Sequence, residues 1–161
     1  MDTTDPGISF NAEGLCMYCS NFAEKITPEW AASKAKGTDE IAQKIREEGK
    51  GKEFDCIIGL SGGLDSSYLT HVAVKEMGLR PLLFHVDAGW NNRKAVSNIE
   101  KLIDGLDLDL YTEVINWEAM KDFHRAFFRS QISDQDIPQD AVFFSAMYKF
   151  ARQNKIKYVL T

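Results

Sequence analysis

Phe54-Asp55-Cys56-Ile57-Ile58-Gly59-Leu60-Ser61-Gly62-Gly63-Leu64-Asp65-Ser66-Ser67 is the stretch that decides the fold. Its first half is apolar apart from Asp55 and reads as a strand buried on both faces; from Leu64 onward the pattern is that of a helix. The Ser/Gly segment between them is therefore a strand-to-helix turn. In that arrangement successive backbone N–H groups and the positive end of a helix dipole converge on an anion. Gly62 and Gly63 let phosphate oxygens approach the backbone where a Cβ would stand in the way, the backbone of Leu64 continues the turn, and Ser61, Ser66 and Ser67 add hydroxyl donors. A carboxylate beside bound phosphate repels it unless a divalent cation lies between them, so Asp65 reads as a magnesium contact, direct or through water. No Lys follows the glycines, which separates the turn from the G-x-x-x-x-G-K-[ST] loop. A Ser/Gly turn can also merely cap a helix, but the strand before it and the helix after it favour the phosphate reading.

Outward from this turn, strands alternate with helices, the pattern of a parallel sheet covered on both faces. Phe54 to Gly59 is the first strand, and Leu64, Tyr68, Leu69, Val72 and Ala73 form the stripe of the following helix, which Gly78 stops. Leu82 to Val86 is the second strand. Asn91 or Asn92 starts a helix with Ala95, Ile99, Leu102, Ile103 and Leu106 at helical spacing, and Leu108 to Ile115 is a third strand nearer an edge. Asn116 opens a helix carrying Trp117, Met120, Phe127 and Phe128. After the loop Ser130 to Asp136, a capping box of Asp136 and Gln139 with Pro138 in the first turn starts a helix that runs to about Asn154. Tyr158 to Thr161 begins a fourth strand. Right-handed crossovers stack the first three strands to one side, so the fourth pairs on the other side of the first. The gap between those two strands is the topological switch point, where open α/β sheets bind ligands, and Thr161 stands at its lip.

Residues 1–37 form a separate segment ahead of the domain at 38–161. Met1 to Ser33 reads as irregular because Asp, Thr, Pro, Gly and Asn interrupt any period, and Thr38 with Asp39 caps a short helix to about Glu48. Among three cysteines no disulfide framework is expected; Cys56 is a core residue, whereas Cys16-Met17-Tyr18-Cys19 is either half of a tetrahedral zinc site or a plain loop.

The 161 residues suffice for one domain, and 19 Lys and Arg against 24 Asp and Glu give −5, which disfavours nucleic acid as a partner. No stretch reaches the length of a membrane span and no secretion signal opens the chain, so no membrane partner and a cytoplasmic location are expected. At the carboxyl ends of the strands, Asp87 reads equally as a nucleotide or metal contact and as an Asx-turn residue. His85 reads as a hydrogen-bonded core histidine, and Trp90 with Asn91 shapes an adenine or substrate pocket. The loop before Asp136, Gln139 and Asp140 could close over a substrate. Arg125 and Arg129 read as solvated surface charges ahead of an anion site.

Ser61 to Ser67 resembles the signature of the PP-loop ATP pyrophosphatase superfamily, which cleaves ATP between its α- and β-phosphates. With the opening MDTTDPGISFNAEGLCMYC, the segment FHVDAGWNN and the tail DIPQDAVFFSAMYKFARQNKIKYVLT, the chain resembles the N-acetyl sugar amidotransferase family of surface-polysaccharide biosynthesis. The resemblance implies a doubly wound Rossmann-like fold, ATP and Mg²⁺, an acetamido sugar substrate, nucleotide-linked or acidic, and ammonia from a separate glutaminase subunit. It implies catalytic roles for Ser61 and Asp65. The nucleotide would lie on Ser61 to Ser67, Asp87 and Thr161. The family pattern carries another Cys-x-x-Cys ahead of this chain's start, which with Cys16 and Cys19 would complete a zinc ribbon, and it continues beyond Thr161. The chain is thus expected to lack both ends. Alternatives are an RNA-thiolating enzyme, which the acidic charge disfavours, and an ATP-binding domain without turnover.

Overall fold

The computed structural model describes residues 2–161, except the side chains of residues 35 and 36. Contacts divide the chain into two units, Met1–Glu40 and Ile41–Thr161.

The larger unit is a four-stranded parallel sheet with helices on both faces. After α3 (Asp39–Glu48) come β1 (Cys56–Gly59), α4 (Leu64–Lys75), β2 (Pro81–Asp87), α5 (Arg93–Leu106), β3 (Leu110–Val114), α6 (Trp117–Ser130), α7 (Ile137–Gln153) and β4 (Val159–Leu160). The strand order β3-β2-β1-β4 is the expected one, with Ile57 and Ile58 of β1 opposite Val159 and Leu160 of β4. Side chains alternate across the strands. Cys56, Ile58, Leu60 and Leu83 pack with Ala42 and Ile45 of α3, Ala73 of α4 and Ile99 of α5; Ile57, Phe84 and Val86 pack with Met147 and Ala151 of α7. Burial pushes the Cys56 thiol up to about 12, consistent with its place in the core.

Asp55, just before β1, is buried without being apolar. Arg80 donates to it through its backbone N–H and Nε, and its NH2 reaches Asp55 Oδ1 at 2.7 Å and the Gly49 carbonyl at 3.0 Å. The pair ties the end of the α3 turn to the entries of β1 and β2. Gly49 is required by this packing, because a Cβ there would lie 2.0 Å from Asp55 Oδ1.

Two expectations are corrected in this unit. Leu64 and Tyr68 do not join the core stripe of α4: they are 83% and 62% exposed, while Thr70 and Ala73 are buried. Thr70 satisfies its buried hydroxyl by donating to the Ser66 carbonyl at 2.8 Å. On α6, Phe128 is exposed, whereas His124 and Met120 are buried. The capping box of α7 does not form either. Asp136 has helical φ and ψ and no side-chain cap; its carbonyl accepts from the N–H groups of Gln139 and Asp140. The N-cap of α6 is the expected Asn116, accepting from Ala119, and of the two candidates for α5 it is Asn92 that caps, accepting from Ala95.

In the smaller unit, the expectation of an irregular segment fails. A turn closed by Asn11 and the Phe10–Cys16 bridge leads into α1 (Met17–Asn21), a π-helical turn (Phe22–Ile26) and α2 (Thr27–Lys36). Pro28, in the first turn of α2, has no N–H to give, and the backbone widens just before it, with Thr27 N–H reaching the Phe22 carbonyl. Neither α1 nor the π turn buries a residue, so no apolar period marks them in the sequence.

Two glycine substitutions test this packing by urea unfolding. Gly49→Ala is expected to cost about 2 kcal/mol at unchanged m, since Asp55 must leave Arg80 to make room. Gly105→Ala, with open space around a Cβ near the end of α5, is expected to stabilise by about 0.5 kcal/mol.

Candidate functional site

The Ser61–Ser67 turn leaves β1 and opens α4 with Gly63 as N-cap, so the strand-turn-helix arrangement inferred from sequence is present. Its shape is held internally and from α5. Ser61 Oγ and Ser66 Oγ are 3.1 Å apart, Gly63 N–H donates to Ser61 Oγ, and Ser67 Oγ donates to the Gly63 carbonyl at 2.6 Å. Asn98 of α5 donates from Nδ2 to the Gly62 carbonyl at 3.0 Å. Gly62 has φ +75°, and a Cβ there would meet the Ala95 carbonyl oxygen at 2.4 Å. Left-handed backbone and contact with α5 both demand glycine at 62. Gly63 is in the extended region, and its Cβ would meet only Ser61 Oγ at 3.3 Å.

The turn borders a cleft of about 630 Å³ at the carboxyl edge of the sheet. Its floor includes Gly59, Leu60, Phe84 and His85, with Thr161 at the rim. Ser61, Asp65 and Ser66 line the phosphate end; Trp90, Asn91 and Asn92 come from the β2–α5 loop, and Gln139, Asp140, Phe143 and Phe144 from α7. Thr161, Ser61, Asp65 and Ser66 are thus brought together at the switch point between β1 and β4. Gly62, Gly63, Leu64 and Ser67 shape the turn from behind without lining the cleft.

Other candidates fall outside. Asp87 does not line the cleft and its carboxylate accepts from Gly89 N–H at 2.9 Å, the Asx-turn geometry. Arg125 and Arg129 lie on α6 away from the cleft, Arg125 pairing with exposed Asp122, and Asp136 does not reach it. His85 is buried, as expected of a core histidine, but it also joins two parts of the site. Its Nδ1 lies 2.8 Å from the Leu60 carbonyl, which fixes that nitrogen as the donor, and Nε2 then accepts from Asn91 Nδ2 at 3.0 Å. This link escaped the sequence reading because residues 60, 85 and 91 meet only through the β1–β2 pairing.

No Lys or Arg is among the residues that line the cleft. Backbone N–H groups and the α4 dipole face any polyphosphate there, with Asp65 in the first turn of the helix. Among the described residues the Asp65 carboxylate has no hydrogen-bond partner, which leaves it available for the magnesium ion that phosphate binding at this turn implies. One carboxylate with phosphate oxygens and water is an ordinary magnesium ligand set.

The zinc expectation fares differently. Cys16 Sγ lies 3.4 Å from Cys19 Sγ and accepts the Cys19 backbone N–H, which holds the Cys16 thiol below its usual pKa; the thiol contact raises that of Cys19. Two thiols supply half of a tetrahedral set, and no group of three or more His, Cys, Asp or Glu capable of holding a metal occurs among the described residues. The pair does not make a zinc site by itself. Among the described residues, no helix is long and apolar enough to cross a membrane.

No protein-family model and no curated protein sequence matches the chain. Solved structures do. An NMN synthetase from Francisella tularensis is 24% identical with a TM-score of 0.51, over 74% of this chain and 52% of that one. An NH3-dependent NAD synthetase from Campylobacter jejuni is 16% identical with a TM-score of 0.50, over the same shares. The chain is similar to these proteins in fold, and it spans about half their length.

The two loop glycines separate the conformational demand from the mere lack of a side chain. Isothermal titration with Mg·ATP is expected to show Gly62→Ala weakening affinity by about a hundredfold and Gly63→Ala by about tenfold or less. Equal losses would count against the α5 contact as the shaping constraint.

Proposed function

We propose that this chain is the nucleotide-activating domain of an ATP-dependent N-acetyl sugar amidotransferase of the PP-loop ATP pyrophosphatase class. The observation that carries the reading is the Ser61–Ser67 turn, opening α4 at the β1/β4 switch point and facing the cleft. The family resemblance of the sequence supports the sugar. The shared fold with a protein whose name marks it as an NH3-dependent synthetase supports ammonia as the nitrogen donor, supplied here by a glutaminase subunit.

An amide carbonyl is a weak electrophile and its oxygen a poor leaving group, so exchange of that oxygen for nitrogen requires activation. The acetamido oxygen attacks the α-phosphorus of ATP, the bond to the β-phosphate oxygen breaks, and pyrophosphate leaves. Ammonia then adds to the carbon of the O-adenylyl imidate, AMP departs with the former amide oxygen, and a proton is lost to give the acetamidino sugar. The protein's part is positional and electrostatic. The N–H groups at the start of α4, with the hydroxyls of Ser61 and Ser66, receive charge that grows on the departing pyrophosphate. Asp65 would hold the magnesium ion, which supplies further charge neutralisation to the phosphates. Thr161 at the rim stands where the nucleotide must lie between β1 and β4.

The test is pyrophosphate release from Mg·ATP and ammonium, with and without a panel of acetamido sugars, together with mass detection of a product in which NH replaces oxygen. Sugar-dependent release is expected. Asp65→Asn should lower kcat about a hundredfold, with a smaller change in the KM for sugar. An intact protein that binds neither ATP nor pyrophosphate with magnesium present would sink the assignment.

A further inference from the structure

We infer that the β2–α5 loop is the sugar-recognition wall of the cleft, with the indole of Trp90 as the platform for the saccharide ring. The inference rests on the functional reading above and gives it a specific contact.

Trp90 lines the cleft and is 55% exposed, a large apolar surface left in water. It is nevertheless held. Its ring meets Trp117 edge to face at 5.1 Å and 80°, and His124 at 5.7 Å and 79°, both from α6. The residue before it makes this seat possible: Gly89 has φ +88°, and a Cβ there would lie 2.3 Å from the Trp117 ring. His124, buried under Trp90, is anchored by Nδ1 at 3.1 Å from the Met120 carbonyl. An exposed indole on so rigid a base can offer a face to a ligand without an ordering cost at binding.

The neighbours of Trp90 are amides with capacity to spare. Asn91 spends Nδ2 on His85, and Asn92 spends Oδ1 on capping α5; among the described residues Asn91 Oδ1 and Asn92 Nδ2 have no protein partner. Across the cleft, the side chains of Gln139 and Asp140 have none either. One aromatic face ringed by free amide and carboxylate groups matches a pyranose, whose C–H face is apolar and whose edge carries hydroxyls. A purine also stacks on indole, but the apolar wall that suits a base is on the α7 side, at Phe143 and Phe144. The Leu60–His85–Asn91 hydrogen bonds then set this wall in register with the phosphate turn that begins at Ser61, as in-line attack on the α-phosphorus requires.

The experiment uses the full chain, wild type, Trp90→Ala and Trp90→Phe, with Mg·ATP and two probes, UDP-N-acetylglucosamine and N-acetylneuraminic acid, read by titration and saturation-transfer NMR. Saturation of sugar-ring protons is expected for at least one probe. Trp90→Ala should weaken that probe about tenfold while the Mg·ATP affinity stays within about twofold, and Trp90→Phe should recover most of the loss. Loss of Mg·ATP affinity instead would make Trp90 a base platform and overturn the inference, as would failure of both probes to bind the wild type or equal sugar affinity in all three proteins. Near-ultraviolet circular dichroism shows that each variant is folded. If a sugar binds through Trp90 yet supports no pyrophosphate release, the functional reading fails while the platform stands.

Discussion

The site depends on one close approach: the backbone of Gly62 lies against the Ala95 carbonyl of α5, where no Cβ fits, with Asn98 from the next turn of α5 holding the Gly62 carbonyl. That contact aims the turn. With the Gly62 carbonyl bound on the α5 side, the shape of the turn no longer depends on a ligand. Because α5 also begins at Asn92, the helix that clamps the phosphate turn is the helix whose preceding loop forms the opposite wall. The Ser61–Ser67 turn and the Trp90–Asn92 wall of the cleft therefore share one support.

The electrostatics of the cleft follow from its lining. Asp65 and Asp140 line it and, among the described residues, no Lys or Arg does, so under the proposed function backbone dipoles and a divalent ion would carry the neutralisation of a polyphosphate. That makes the geometry of the turn more important than any single side chain, since N–H groups work only when pointed.

Much of this was legible in the primary structure, and the misses are instructive. The order β3-β2-β1-β4 could be read because buried strands are continuous apolar runs and crossover handedness leaves few arrangements. Leu64 and Tyr68 fit a helical stripe, yet both are exposed, and periodicity carries no information about which turns of a helix meet the sheet. Residues 17–26 read as irregular because a helix that buries nothing has no apolar period to display. Asp136 has the residue type of a cap, but its backbone is already helical.

The turn at Ser61–Ser67, the strands around it, the cap at Asn116 and a cap at Asn91 or Asn92 were determined by sequence alone, because each rests on local chemistry: φ freedom, side-chain length or strand burial. Only the tertiary structure decided that Asp55 belongs to Arg80 and Gly49, that His85 bridges Leu60 and Asn91, that Gly62 must be bare because of Ala95, and that Trp90 rests on Trp117 and His124. Each is a meeting of residues distant in the chain, created by strand pairing and helix packing, and no local spacing records it.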